Sequence, residues 1–159
     1  VREAVRLRAE GVSFEEIAQS TADMPLHIQY AIIANDLYYL KRGGRVSSVA
    51  AAAGTLLNIK PVLSFTNDGK LTVVEKVRGM KKAFAYALSK TEKFKPVEEN
   101  RMMRIVHTDA EKDAEELADM VEKRWGYRPE ISIMGPVIGS HVGPGSVSMI
   151  WLTKEIRQD

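Results

Sequence analysis

Apolar positions shift between a helical and a strand period along the chain, and each shift marks an element. Ala4, Val5 and Ala9 fall at helical spacing until Gly11 stops the run. Ser13-Phe-Glu-Glu16 reads as a capping box opening a second helix, with Phe14, Ile17 and Ala18 as its apolar face. The first helix is polar elsewhere and reads as lying against something not fully present in the chain. After Pro25 the pattern changes. Residues 27–34 (HIQYAIIA) are mostly apolar and rich in β-formers, which predicts a buried strand. Asn35-Asp36 is read as the cap of a short helix over 37–41 that Gly43-Gly44 ends. A further helix is expected from Ser47 or Ser48 to Leu57, around the run Ala50-Ala51-Ala52-Ala53-Gly54.

Residues 59–66 and 71–77 read as strands joined at Asn67-Asp68-Gly69-Lys70, residues that tolerate the backbone of a hairpin turn. Past Gly79, the stripe Met80, Ala83, Phe84, Ala87, Leu88 predicts an amphipathic helix. Pro96 and Glu98-Glu99-Asn100 read as a loop. A strand over 101–107 follows, then a helix to about Trp125 with Ala114, Leu117, Ala118, Val121 and Trp125 on one face. Thr108-Asp-Ala-Glu111 is taken as its capping box and Gly126 as its stop. A strand over 130–134 completes a right-handed parallel crossover. The Gly/Pro-rich stretch 135–145 reads as a loop before a last strand over 146–152. The fold class is therefore α/β: a two-layer domain on a mixed sheet of about six strands.

Composition narrows the function. The chain has 159 residues and no Cys, which excludes a disulfide framework, a thiolate nucleophile and a thiolate metal site. The net charge of +2 comes with no dense basic stripe interleaved with aromatics, so nucleic acid is not an expected partner. No apolar run approaches the roughly 18–20 residues of a membrane span, and no signal-peptide pattern opens the chain, so a cytoplasmic setting is expected. The chain opens on Val1 and reads as a fragment. No nucleophile triad, Walker loop, HExxH or paired inward carboxylates occur, so no catalytic residue and no metal ligand is expected. His107 ends a strand next to Thr108-Asp109, a trio that a helix cap explains better than a triad, and His27 has no evident partner.

Three places remain. In Ile138-Gly-Ser-His-Val-Gly-Pro-Gly145, Ser140 and His141 offer donors beside exposed N–H groups, a setting for a carboxylate or phosphate. A plain turn with a solvent-facing imidazole explains the same residues equally well. Gly43-Gly44 can aim Arg45 outward as a fork for an anion, although a helix C-cap flanked by solvated cations is the plainer account. Arg78, with Lys76, Lys81 and Lys82, gathers at a helix start, where a partner's phosphate or a simple solvated cluster both fit. The Ala-rich helix at 50–54 fills little volume, permitting either close helix packing or a ligand groove. Burying about fourteen acyl methylenes at roughly 0.8 kcal/mol each is worth on the order of 11 kcal/mol before ordering costs. A charge-assisted hydrogen bond from a histidine adds about 1.5–3 kcal/mol. In a lipid site the groove would set affinity and His141 orientation.

Taken in order, Asp36-Leu-Tyr-Tyr-Leu-Lys-Arg-Gly-Gly-Arg-Val-Ser47, Ala52-Ala-Gly-Thr-Leu-Leu-Asn-Ile-Lys-Pro-Val-Leu63, Asp68-Gly-Lys70, Lys76-Val-Arg-Gly-Met-Lys-Lys-Ala83 and the His141 stretch closely resemble the C-terminal domain of the DegV family, bacterial fatty-acid-binding proteins. The resemblance covers roughly residues 25–152. It implies two α/β domains with a fatty acid between them and no cofactor. It further implies an acyl tunnel, for which Ala50, Ala53, Gly54 and Leu57 are the candidates here. His141 with Ser140 would meet the carboxylate. A dihydroxyacetone-kinase-like fatty acid kinase would make the acyl phosphate, with Arg45 and Arg78 as candidates for docking or phosphate contact. Under this resemblance, residues 1–24 are terminal helices of a missing N-terminal domain, and residues 25–159 are the lipid-binding domain. Two alternatives stay in view: a phosphotransferase subunit and a pure docking or regulatory module.

Overall fold

The computed structural model describes residues 1–35, 37–44, 58–97 and 102–157. Two short helices come first, α1 (Arg2–Ala9) and α2 (Phe14–Ala22). The capping box at Ser13 forms as expected, with the Glu16 amide donating to Ser13 Oγ and the Ser13 amide donating to Glu16 Oε2. Neither helix buries a residue, and Phe14 is 79% exposed. A 3-10 turn (Met24–His27) leads into β1 (Ile28–Ile33). α3 (Tyr38–Arg42), β2 (Ile59–Phe65), β3 (Leu71–Arg78) and α4 (Met80–Lys93) follow. The chain continues through β4 (Met103–Thr108), α5 (Glu111–Trp125), β5 (Glu130–Ile133), α6 (Pro136–Val142) and β6 (Ser146–Leu152).

The six strands form one mixed sheet in the order β3-β2-β1-β6-β4-β5. All neighbours are antiparallel except β4 and β5, which run parallel on either side of α5, as a crossover requires. Alternation along β1 sends Ala31 and Ile33 to one face and Ile32 and Ala34 to the other. The first face carries the main core. α4 buries Ala83, Phe84 and Ala87 there, and α5 buries Ala114, Leu117, Ala118 and Val121, against Val62, Met103, Ile105, Val147, Met149 and Trp151. The indole N–H of Trp151 donates to the Phe94 carbonyl at 2.8 Å, and that of Trp125 donates to Thr91 Oγ1 at 3.0 Å. Among the described residues the second face carries much shorter pieces. Leu40 of α3 and Val142 of α6 pack on Ile32, Ala34, Leu63 and Met134.

Two expectations are corrected. The stretch 135–145 is not all loop: Pro136 at the first turn, where its missing N–H costs nothing, starts the seven-residue α6. Thr108 does not cap α5. Strand pairing with Ser146 draws it into β4, and α5 begins after Ala110, whose amide donates instead to His107 Nδ1 at 3.2 Å. Leu37 stands at the N-cap position of α3, and Asp36 of the expected cap lies outside the described residues. The expected helix around residues 47–57 lies outside the described residues.

Candidate functional site

The strand order brings together one end of the sheet, called here the functional edge because it carries the candidate residues His141 and Arg78. The C-terminal ends of β1, β3, β4 and β5 meet the N-terminal ends of β2 and β6 there, as the pairs Ile33–Val147, Ile59–Arg78, His107–Ile133 and Thr108–Ser146 fix. Ligands of open α/β sheets gather outside the carboxyl ends of the parallel strands, and α6 leaves β5 at that end.

α6 is held by backbone and hydroxyl contacts. The Gly143 amide donates to the Gly139 carbonyl at 2.9 Å, and Thr108 Oγ1 donates to the Gly143 carbonyl at 2.5 Å. Thr108 Oγ1 in turn accepts from the Ser146 amide at 3.1 Å, and Ser146 Oγ donates to the Val142 carbonyl at 3.1 Å. Gly143 adopts φ +76°, and a Cβ there would run into the ring of Tyr39. The corner between α6 and β6 therefore lies directly on the segment leading through α3. Beside it, Asn35 accepts a hydrogen bond from Lys60 through both its backbone carbonyl and its side-chain oxygen.

His141 stands in the last turn of α6, half-buried, with its ring against Gly43 at the end of α3. The neighbouring Ser140 is exposed and donates its hydroxyl to the Val137 carbonyl at 2.8 Å, within its own helix. The hydroxyl proton is thus spent on α6, leaving the oxygen as an acceptor, which a carboxylate does not want. Arg78 ends β3, exposed and free of any ion pair among the described residues. It shares the functional edge with His141 but stands three strand spacings from β6, on the order of 14 Å. A single carboxylate held by His141 is not a natural partner for it. Arg45, Ala50, Ala53, Gly54 and Leu57 lie outside the described residues.

The apolar face beneath α3 and α6 continues from Ile32, Leu63 and Val142 to partly buried Tyr30, Phe65, Leu71, Val73 and Val106. Ser148 lies in register with Ile32 and Val106 and therefore shares that face. Its side-chain oxygen is buried and has no hydrogen-bond partner among the described residues. At the opposite end of this face the buried Arg157 donates to the carbonyls of Ile28 and Thr66, both at 2.9 Å, and lies 5.6 Å from the centre of the Tyr30 ring. Burial pushes the Tyr30 phenol above its ordinary pKa, and the Arg157 charge opposes that rise. Two cavities away from His141 are small or open. One of about 60 Å³ lies among Ala31, Val62, Phe65, Tyr86, Phe94 and Arg157, and one of about 330 Å³ opens between Arg2, Met102, Arg104 and Arg128.

Sequence reasoning identified His141 but not its neighbours. Asn35, Tyr39 and Thr108 carry no local signal for their roles, because each role is a contact between segments far apart in the chain. Among the described residues no group of His, Asp and Glu is arranged to hold a metal ion. No described helix is long and apolar enough to cross a membrane.

The described residues thus form a mixed sheet with two long helices on one face and, on the other, two short helices, the second of which carries His141. The chain belongs to the DegV family: the family model described as "Uncharacterised protein, DegV family" matches residues 1–154. A DegV domain-containing protein of Lactococcus lactis is 37% identical over 148 residues, 93% of this chain and 53% of that protein. A fatty acid binding DegV family protein from Streptococcus agalactiae superposes with a TM-score of 0.80 at 34% identity, over 98% of this chain and 55% of that one. DegV from Bacillus subtilis, described as a fatty acid binding protein, gives a TM-score of 0.74 at 29% identity, over 96% of this chain and 54% of that one. The chain spans about half the length of the curated relatives it matches.

Proposed function

We propose that this chain is the acyl-binding half of a two-domain fatty acid carrier. The observation that carries the reading is His141, poised at the edge of an apolar face that is only lightly covered by described residues. The fatty-acid-binding descriptions of the Streptococcus agalactiae and Bacillus subtilis proteins support it. The acyl chain lies against the face of Ile32, Leu63 and Val142, with Ala50, Ala53, Gly54 and Leu57 walling the tunnel. Burial of the chain supplies most of the affinity, and the imidazole of His141 donates to the carboxylate and orients it. Ser140 contributes only after its hydroxyl leaves the Val137 carbonyl. Residues 25–159 form this domain. Residues 1–24, whose two helices bury nothing, are the last helices of a preceding domain that completes the carboxylate site.

In the same reading the carrier is cytoplasmic, performs no chemistry itself and uses no cofactor. It presents the carboxylate to a fatty acid kinase of the dihydroxyacetone-kinase type, with Arg45 and Arg78 as the docking cations. Organic extraction and mass spectrometry of the purified protein are expected to recover long-chain fatty acid in near one-to-one amount. Recovery of none, together with no uptake of oleic acid by the delipidated protein, overturns the reading. Charge reversal at Arg45 and Arg78 should slow phosphorylation of bound lipid while leaving lipid affinity intact; unchanged turnover sinks the docking role.

A further inference from the structure

Gly43 and Gly44 are adjacent glycines, and glycine suits the two positions for different reasons. Gly44 has φ +68°, a conformation that favours glycine, and no described residue lies within 4 Å of where a Cβ would stand. Gly43 has φ −76° and ψ −1°, right-handed helical geometry that any residue adopts. Its surroundings are what exclude a side chain. A Cβ at Gly43 would lie 2.5 Å from His141 Nδ1, 3.4 Å from His141 Cε1 and 3.3 Å from the Tyr39 carbonyl oxygen. The tightest of these contacts is with the one histidine at the candidate site.

We propose that Gly43 is a positioning residue: its bare backbone is the seat of the His141 ring, setting the Nδ1 edge against α3 and leaving Nε2 as the nitrogen that meets a ligand carboxylate. This rests on the reading of His141 as the carboxylate ligand. The seat works because α6 cannot retreat from it. Thr108 Oγ1 and Ser146 Oγ, from β4 and β6, hold the two carbonyls that end the helix and tether it in place. A methyl group at position 43 is therefore accommodated by rotation of the imidazole about its own side-chain bonds. That rotation is cheap for the fold, since the displaced atoms are the end of a rotatable side chain. It is expensive for binding, since a hydrogen bond weakens steeply once donor and acceptor lose alignment.

The test compares wild type, Gly43→Ala, His141→Ala and the double variant, with Gly135→Ala as control. Gly135 has φ −57° and open space where a methyl group would stand, so alanine there should change nothing. Oleic acid affinity of the delipidated proteins is read by displacement of a fluorescent fatty acid, and the His141 ring by its proton and nitrogen NMR signals. Gly43→Ala is expected to keep the wild-type thermal midpoint to within a few degrees, to shift the ring signals, and to weaken oleic acid binding about tenfold, the loss of one charge-assisted hydrogen bond. In the His141→Ala background the same change should have no further effect on affinity. Unmoved ring signals in Gly43→Ala, or an equal loss of affinity with and without His141, overturns the seat. If wild type itself takes up no oleic acid, the fatty acid reading fails, and the ring signals still decide whether Gly43 holds His141.

Discussion

The two faces of this sheet are assembled by different rules. Under α4 and α5, Phe84 and Leu117 of the long helices meet Met149 and Trp151 of β6 in a continuous layer, and both indole N–H groups are satisfied. Among the described residues, α3 and α6, helices of five and seven residues, cover a thinner cluster on the other face. Close approach there is made by glycine, at Gly43 against His141 and Gly143 against Tyr39. Ser148 leaves a buried hydroxyl unpartnered among the described residues, while Ile133, Val137 and Ile138 stay exposed nearby in the chain. Natural proteins follow packing rules closely where only stability is at stake, and break them at sites of function. The contrast teaches that the first face supplies the rigidity on which the second can be left imperfect.

The largest effect should come from the first face. Phe84→Ala empties a fully buried ring position in the main core and is expected to cost about 3–5 kcal/mol, read from urea unfolding. Fatty acid affinity of the fraction that remains folded should stay near wild type. A Phe84→Ala protein that keeps its stability but loses its ligand would break the division between the faces. His141→Ala is the opposite case. It should leave the unfolding midpoint almost unchanged and weaken fatty acid binding by about 1.5–3 kcal/mol, the worth of a hydrogen bond to a charged group. Ser148→Ala comes next. Removing a buried hydroxyl without a partner should raise stability by about 1 kcal/mol, the lower end of what such a group costs. A loss of stability would mean that the hydroxyl has a partner in the folded protein, and the two faces would then differ less than the described contacts indicate.

Legibility followed the same division. The stripes of α4 and α5 were readable because a period near 3.6 persists over 14 and 15 residues, long enough to exceed local noise. The hairpin and the Ser13 capping box were readable because their signals are confined to a few adjacent residues. α6 was not, since Gly135, Pro136, Gly139, Gly143, Pro144 and Gly145 together have the composition of a loop. Its helix depends on Thr108 and Ser146 taking up its end. Thr108 misled for a related reason: its spacing to Glu111 fits a cap, yet pairing with Ser146 wins, and the hydroxyl goes to Gly143. His141 was legible through its motif. Its dependence on Gly43 was not, because a steric contact between two distant segments leaves no period and no local pattern.

The smallest expected effect lies on neither face, in the hairpin turn. Asp68 is exposed, and its pKa is held down to about 2 by a hydrogen bond from Lys70, then by the Thr66 hydroxyl and the Lys70 charge. The sign follows from the depressed value. The folded state holds the carboxylate more tightly ionised than the unfolded chain, where it titrates near 3.8. Its contribution is therefore complete above that pH, shrinks as pH falls through the interval down to about 2, and vanishes below it. Asp68→Asn should lower the urea midpoint slightly at about pH 6 and not at all at about pH 1.5, and roughly 1 M salt should erase most of the difference seen at the higher pH, since the pair is open to solvent. The measurement bears on the larger comparison because the turn joins β2 to β3 away from the functional edge. If Asp68→Asn altered oleic acid binding as well as the acid limb of stability, the sheet would be transmitting strain along its full length, and the proposed separation between a face for stability and a face for binding would have to be given up.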